Sequence, residues 1–109
     1  MDRPTVSPET MRRYEAVAAT LEQAGVKASS MFGMPTLKRD GKAIGGLYGD
    51  AMTFKLSGEA LAGALRLDGA HPFDPSGRGR PMKAWVVVPV AQADAWERLA
   101  QLALASIDA

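Results

Sequence analysis

Apolar residues recur along this chain with two different periods, and the switches between them mark out its elements. Met11, Tyr14, Val17, Ala18 and Leu21 follow the three-to-four spacing of one helix face, with Arg12, Arg13, Glu15 and Glu22 mostly elsewhere. Ser7-Pro8-Glu9 is a start signal: a hydroxyl for the N-cap, proline at the first helical position, and an acid facing the helix dipole. Gly25 stands where a left-handed residue closes a helix. From 28 to 56 the apolar runs shorten and are separated by turn chemistry, which predicts strands over 28–32, 36–39, 42–48 and 52–56. Asp40-Gly41 between two such runs is a hairpin signal, since a tight turn needs positive φ. Pro35 cannot donate to a ladder and belongs at a strand's first residue or on an edge. Gly45-Gly46 inside a strand points to a bulge or to close approach by another backbone or a ligand.

Ser57 is placed to cap a short helix over 58–65, and Asp68-Gly69 closes it. Residues 70–82 hold three prolines, two glycines and no periodicity, the pattern of a long loop. Residues 83–88, with Trp85 and three valines, predict the most buried strand, and Pro89 stops it. Trp96, Leu99, Ala103 and Ile107 mark one face of a last helix, which starts near Gln92 or at Asp94 if Asp94 and Glu97 form a capping pair. The order is α-β-β-β-β-α-β-α. That is an α+β domain with a mainly antiparallel five-stranded sheet covered by its terminal helices. Residues 1–6 read as a disordered arm, and 1–109 as one domain.

Composition narrows the function classes. Apolar residues at 47% and charged residues at 23% fit a globular domain rather than a disordered chain. A formal net charge of +1 exerts no global pull on nucleic acid or membrane, so any electrostatic binding must come from a local patch. No cysteine is present, which excludes disulfides, thiol catalysis and cysteine–metal sites. No apolar run approaches the ~20 residues that span a bilayer, and no signal-peptide pattern opens the chain, so the cytoplasm is the expected location.

Candidate chemistry is sparse. His71, with Asp74 nearby, is the only histidine and has no identifiable nucleophile to serve, so no catalytic residue is assigned and no metal or cofactor is expected. Arg78, Arg80 and Lys83 cluster in a glycine- and proline-flanked segment and are the candidates for contact with a partner or an anion. Gly45, Gly46, His71 and Trp85 are the candidates for lining a pocket. Trp85, Trp96, Phe32, Phe54 and Phe73 otherwise read as core. Nucleic acid is the less favoured partner, because three positive charges bind it weakly at physiological salt.

One resemblance covers nearly the whole chain, from about Met11 to Ile107. Met31-Phe32-Gly33 follows a leading helix, Asp40-Gly41 makes the next hairpin, and Phe54-Lys55-Leu56 forms the following strand. His71-Pro72-Phe73 opens the long loop, and Met82-Lys83-Ala84-Trp85 leads to Val88-Pro89 before the last helix. In this order and spacing the chain resembles the TfoX amino-terminal domain family of competence regulators, departing from it where Met34-Pro35 stands in place of a further glycine. The resemblance implies a curved sheet similar to YjbR proteins and type III secretion chaperones, frequent homodimerisation, and no catalytic activity. Two functions follow as expectations. The first is a small non-enzymatic regulatory or protein-interaction domain. The second is a small-molecule-binding protein or enzyme with a pocket near Gly45, Gly46, His71 and Trp85.

Overall fold

The structure is a computed structural model that describes residues 6–31, 34–73 and 84–107. Helix α1 (Pro8–Leu21) runs into a 3-10 turn (Glu22–Ala24), followed by strands β1 (Lys27–Met31), β2 (Met34–Arg39), β3 (Lys42–Leu47) and β4 (Ala51–Lys55). Helix α2 (Gly58–Leu65), strands β5 (His71–Pro72) and β6 (Trp85–Pro89), a 3-10 segment (Val90–Ala95) and helix α3 (Trp96–Ile107) complete the chain. The strands form one open sheet in the order β1-β2-β3-β4-β6-β5, and every neighbouring pair is antiparallel.

The α+β class and the antiparallel sheet agree with the sequence reading, but the strand count differs: among the described residues the sheet has six strands, not five. The extra strand is His71–Pro72, inside the segment expected to be a loop. It forms because Phe73 buries its ring against Ala51 and Val87 while its N–H donates to the Trp85 carbonyl at 3.0 Å. Pro72 is tolerated there because β5 is an edge strand, where a missing donor costs nothing. Pro35 sits at the second position of β2, an interior strand, with its carbonyl turned toward Gly46.

The helix ends follow local chemistry with two exceptions. The Ser7 Oγ accepts from the Thr10 N–H at 3.2 Å, Pro8 opens α1, and Gly25 takes φ 86° as the chain leaves for β1. Ser57, by contrast, occupies the N-cap of α2 without a side-chain hydrogen bond, so α2 rests on packing. Asp94 does not cap α3: it lies in the preceding 3-10 segment, and its carboxylate meets Arg13 of α1 at 3.2 Å. Val6, expected in a disordered arm, packs on the core. The remainder of that arm, together with Phe32 and Gly33, lies outside the described residues.

All three helices contribute to one core against one face of the sheet. Strand alternation supplies the other half: Leu37, Leu47, Met52, Phe54, Val86 and Val88 point inward. Trp96 anchors α3 at full burial, and its Nε1–H donates to the Val88 carbonyl at 3.2 Å. Ile44 and Leu47 both reach this core although they are three residues apart, a spacing that a regular strand cannot satisfy. A bulge resolves it: Leu37 pairs with Gly45 but Lys38 pairs with Ala43, so Ile44 is the extra residue.

The glycines beside the bulge are required by space. A Cβ on Gly45 would stand 2.5 Å from the Thr53 carbonyl oxygen, and one on Gly46 would stand 2.5 Å from that of Pro35. Gly46→Ala is therefore expected to lower stability by about 1–3 kcal/mol through backbone displacement. Gly63→Ala, in α2 with nothing within 4 Å of the added carbon, should raise it by about 0.5–1 kcal/mol. Urea unfolding of the two variants checks both signs.

Candidate functional site

The four residues expected to line a pocket are spread across the sheet. Gly45 pairs with Leu37 and Phe54 on the helix-covered face, where neighbouring backbone fills the space a side chain would take. Gly46 lies in a row with Thr53, Val87 and His71 on the opposite face. Three interstrand steps separate Gly46 from His71, about 14 Å. His71 is exposed on the outermost strand, and its Nδ1–H donates to the Gly69 carbonyl at 3.2 Å, so it anchors a turn. Trp85 pairs with Lys55 and is half-buried on the same face as His71. The structure thus places Gly46, His71 and Trp85 on one face of the sheet and Gly45 on the other. Arg78, Arg80 and Lys83 lie outside the described residues.

Among the described residues no helix covers that second face. It is organised instead by a small apolar cluster of Ala51, Phe73 and Val87, with Tyr48 and Trp85 packed at its margin. Tyr48 meets Phe73 edge-on, with ring centroids 5.1 Å apart and planes at 69°, and Phe73 stands 6.5 Å from Trp85. This geometry suits the quadrupoles of aromatic rings and lets three side chains shield a surface that a helix would otherwise cover. Thr36 and Thr53 are buried on the same face.

A groove of about 540 Å³ runs along the other free margin of the molecule, between α1 and the edge strand β1. Met11, Tyr14 and Ala18 form its helical wall, Ala28 and Leu37 its sheet wall, and Glu15, Glu22 and Lys27 its charged rim. Lys27, Ala28, Ser29 and Ser30 are all exposed. Tyr14 is 4% exposed, and its hydroxyl is buried with no hydrogen-bond partner among the described residues. Burial pushes the Tyr14 phenol up to about 12, because the charged form would lose its hydration.

The wall formed by α1 is held by Asp50, a residue whose role the sequence pattern did not disclose. Its Oδ1 accepts from the Ser7 N–H at 2.7 Å and from the Thr10 hydroxyl at 3.0 Å, while its carbonyl accepts from the Val90 N–H at 2.8 Å. One turn residue thus joins the start of α1, the β3–β4 connection and the approach to α3. The Ser7 N–H and then the Thr10 hydroxyl hold the Asp50 carboxyl below its ordinary range. Arg13 and Asp94 also link α1 to the segment before α3, but as an exposed pair worth about 0–1 kcal/mol.

Comparison of the chain with protein-family models, with curated proteins and with solved structures finds no match. Two expectations follow from the geometry. Tyr14→Phe removes a buried hydroxyl that has no partner, so it should leave stability unchanged or raise it by about 1 kcal/mol, and absorbance titration should lose the tyrosine that ionises near pH 12. Asp50 has a lowered folded pKa, so its contribution is present above the unfolded value and is lost as pH falls through the folded one. Asp50→Asn should therefore show a shallower acid limb than the wild type in thermal melts below about pH 4.

Proposed function

We propose that the chain is a non-enzymatic protein-interaction domain, and that it receives an extended segment of a partner protein as a further strand beside β1. The observation that carries this reading is the combination of an exposed edge strand with an apolar groove that continues from it. The Pro35 carbonyl is turned toward β3, so in the antiparallel ladder Ser30 directs its own N–H and carbonyl away from β2, as does Ala28. These groups offer main-chain hydrogen bonds to an incoming strand, and alternate apolar side chains of that strand would enter the groove over Ala28 and Leu37. The small side chains at Ala28, Ser29 and Ser30 leave the edge unobstructed, with Lys27 the one charge on it.

A regulatory role of the kind implied by the TfoX resemblance fits such a domain, since regulation by docking needs a surface and no reaction. A homodimer fits the same edge. In a twofold pairing centred on Ser29, Ala28 would oppose Ser30 of the partner subunit and Lys27 would oppose Met31 of the partner subunit, so no like charges meet.

Peptide selection provides the test. From a random library, the wild type should enrich extended peptides with apolar residues at alternate positions. Ser30→Pro deletes only an outward N–H on an edge strand, where proline is tolerated, and should weaken those peptides at least tenfold while the fold persists. Selected peptides that bind Ser30→Pro equally well would remove β1 from the proposal. Light scattering separates the second occupant: a mass that doubles with concentration in the wild type and stays monomeric in Ser30→Pro places a second copy at this edge.

A further inference from the structure

The distribution of charge over the elements is uneven in a way that the net charge of +1 conceals. The six strands carry Lys27, Lys38, Arg39, Lys42 and Lys55, and no aspartate or glutamate at all. Every acidic residue among the described ones lies on a helix, a 3-10 segment or a connecting turn. Strand alternation then sorts the cations. Leu37 and Phe54 point into the helix-covered core, so Lys38 and Lys55, the next residues along, project from the helix-free face. Lys27 is paired directly with Lys38 and shares that face.

A direct Lys–Lys pair across two strands is unfavourable, because like charges stand only about 5 Å apart at their Cβ atoms. No acid on either strand relieves it. Between these lysines and the adjoining turns lies a depression of about 370 Å³, lined by Lys27, Ser29 and Lys38 with Gly25 and Gly41. Asp40 is the one carboxylate lining it and stands 3.9 Å from the Arg39 Nε. Further across the same face Lys55 pairs with half-buried Trp85, and the Tyr48–Phe73–Trp85 group follows. Cations at one end and aromatic rings at the other lie on one sheet face whose strands carry no acid, with Asp40 in the adjoining β2–β3 turn.

We propose that this helix-free face binds single-stranded nucleic acid, with phosphates on Lys27, Lys38 and Lys55 and a base stacked on Trp85. Charge complementarity selects a polyanion, and the aromatic rings select one that carries unpaired bases, because stacking on side chains needs bases released from a duplex. The surface adjoins the α1–β1 groove at β1, where Lys27 and Ala28 line both depressions. Three lysines give a modest, salt-sensitive affinity, with log K falling against log salt at a slope of about −2 from single-strand phosphate contacts.

The test uses the full chain and a labelled oligothymidylate of about a dozen nucleotides, a length within single-strand site sizes. Anisotropy at low salt should report binding, accompanied by quenching of Trp85 fluorescence. Fully buried Trp96 supplies an unquenched reference. Lys27→Gln/Lys38→Gln should weaken binding tenfold or more, Lys55→Gln less, and Trp85→Phe should abolish the quench. Arg12→Gln, on the exposed side of α1, should change nothing. Circular dichroism confirms that each variant is folded. Absence of binding at low salt overturns the proposal, as does equal binding by the lysine variants. Displacement of the label by a duplex or by polyglutamate as readily as by unlabelled oligothymidylate overturns the single-strand assignment.

Discussion

The close approach of backbones at Gly45 and Gly46 is the constraint on which the rest of this sheet depends. Strand β3 has to deliver both Ile44 and Leu47 to one core, and only a bulge reconciles their spacing with a pleated strand. The bulge and its two side-chain-free neighbours let the Pro35 and Thr53 carbonyls close in from the flanking strands. On the core side Leu37, Ile44 and Phe54 all join the one buried cluster. On the other side Gly46 lies between Thr36 and Thr53 in a buried row, and the exposed or half-buried Lys27, Lys38, Lys55 and Trp85 lie outside that row.

One-sided helix packing sets the second condition. With α1, α2 and α3 all committed to one face, Tyr48, Phe73 and Trp85 are the aromatic rings that, among the described residues, shield the other. Those rings are the same groups that make the face chemically legible, beside lysines unaccompanied by strand acids. The free margin at β1 is a separate consequence of the open sheet: an unpaired edge next to a helix that stands off far enough to leave a groove. A single exposed carboxylate, Asp50, positions that helix by gathering the Ser7 N–H and the Thr10 hydroxyl.

Much of this architecture was legible in the residues. Ser7-Pro8, Gly25 and Asp40-Gly41 act through local backbone preferences, and the structure places them as caps and turns, with Asp40 and Gly41 both at positive φ. The residues 58–65 form a helix with the bounds that periodicity marks. What local reasoning missed depends on partners distant in the chain. The two-residue strand β5 exists only because β6 lies beside it and Phe73 has a cluster to enter. Asp50 joins Ser7 across 43 positions. The grouping of Gly45 with Gly46, His71 and Trp85 is divided between the two faces for the same reason: adjacency in pattern carried no information on face, and pairing register sends Gly45 to one side and the others to the opposite one. The absence of acids from every strand, in contrast, was readable from the start once strand boundaries were drawn.

The central claim is that this domain works through its sheet and not through the outer surfaces of its helices. Amide chemical-shift mapping tests it most directly, by titrating the labelled protein with oligothymidylate and following every backbone resonance together with both indole N–H signals. The account predicts shifts confined to β1, β2, the end of β4 and the start of β6, with the Trp85 indole moving and the Trp96 indole, held to the Val88 carbonyl, unmoved. Shifts centred on the exposed residues of α1 or α3, or a spectrum unchanged at saturating oligonucleotide in low salt, would contradict it.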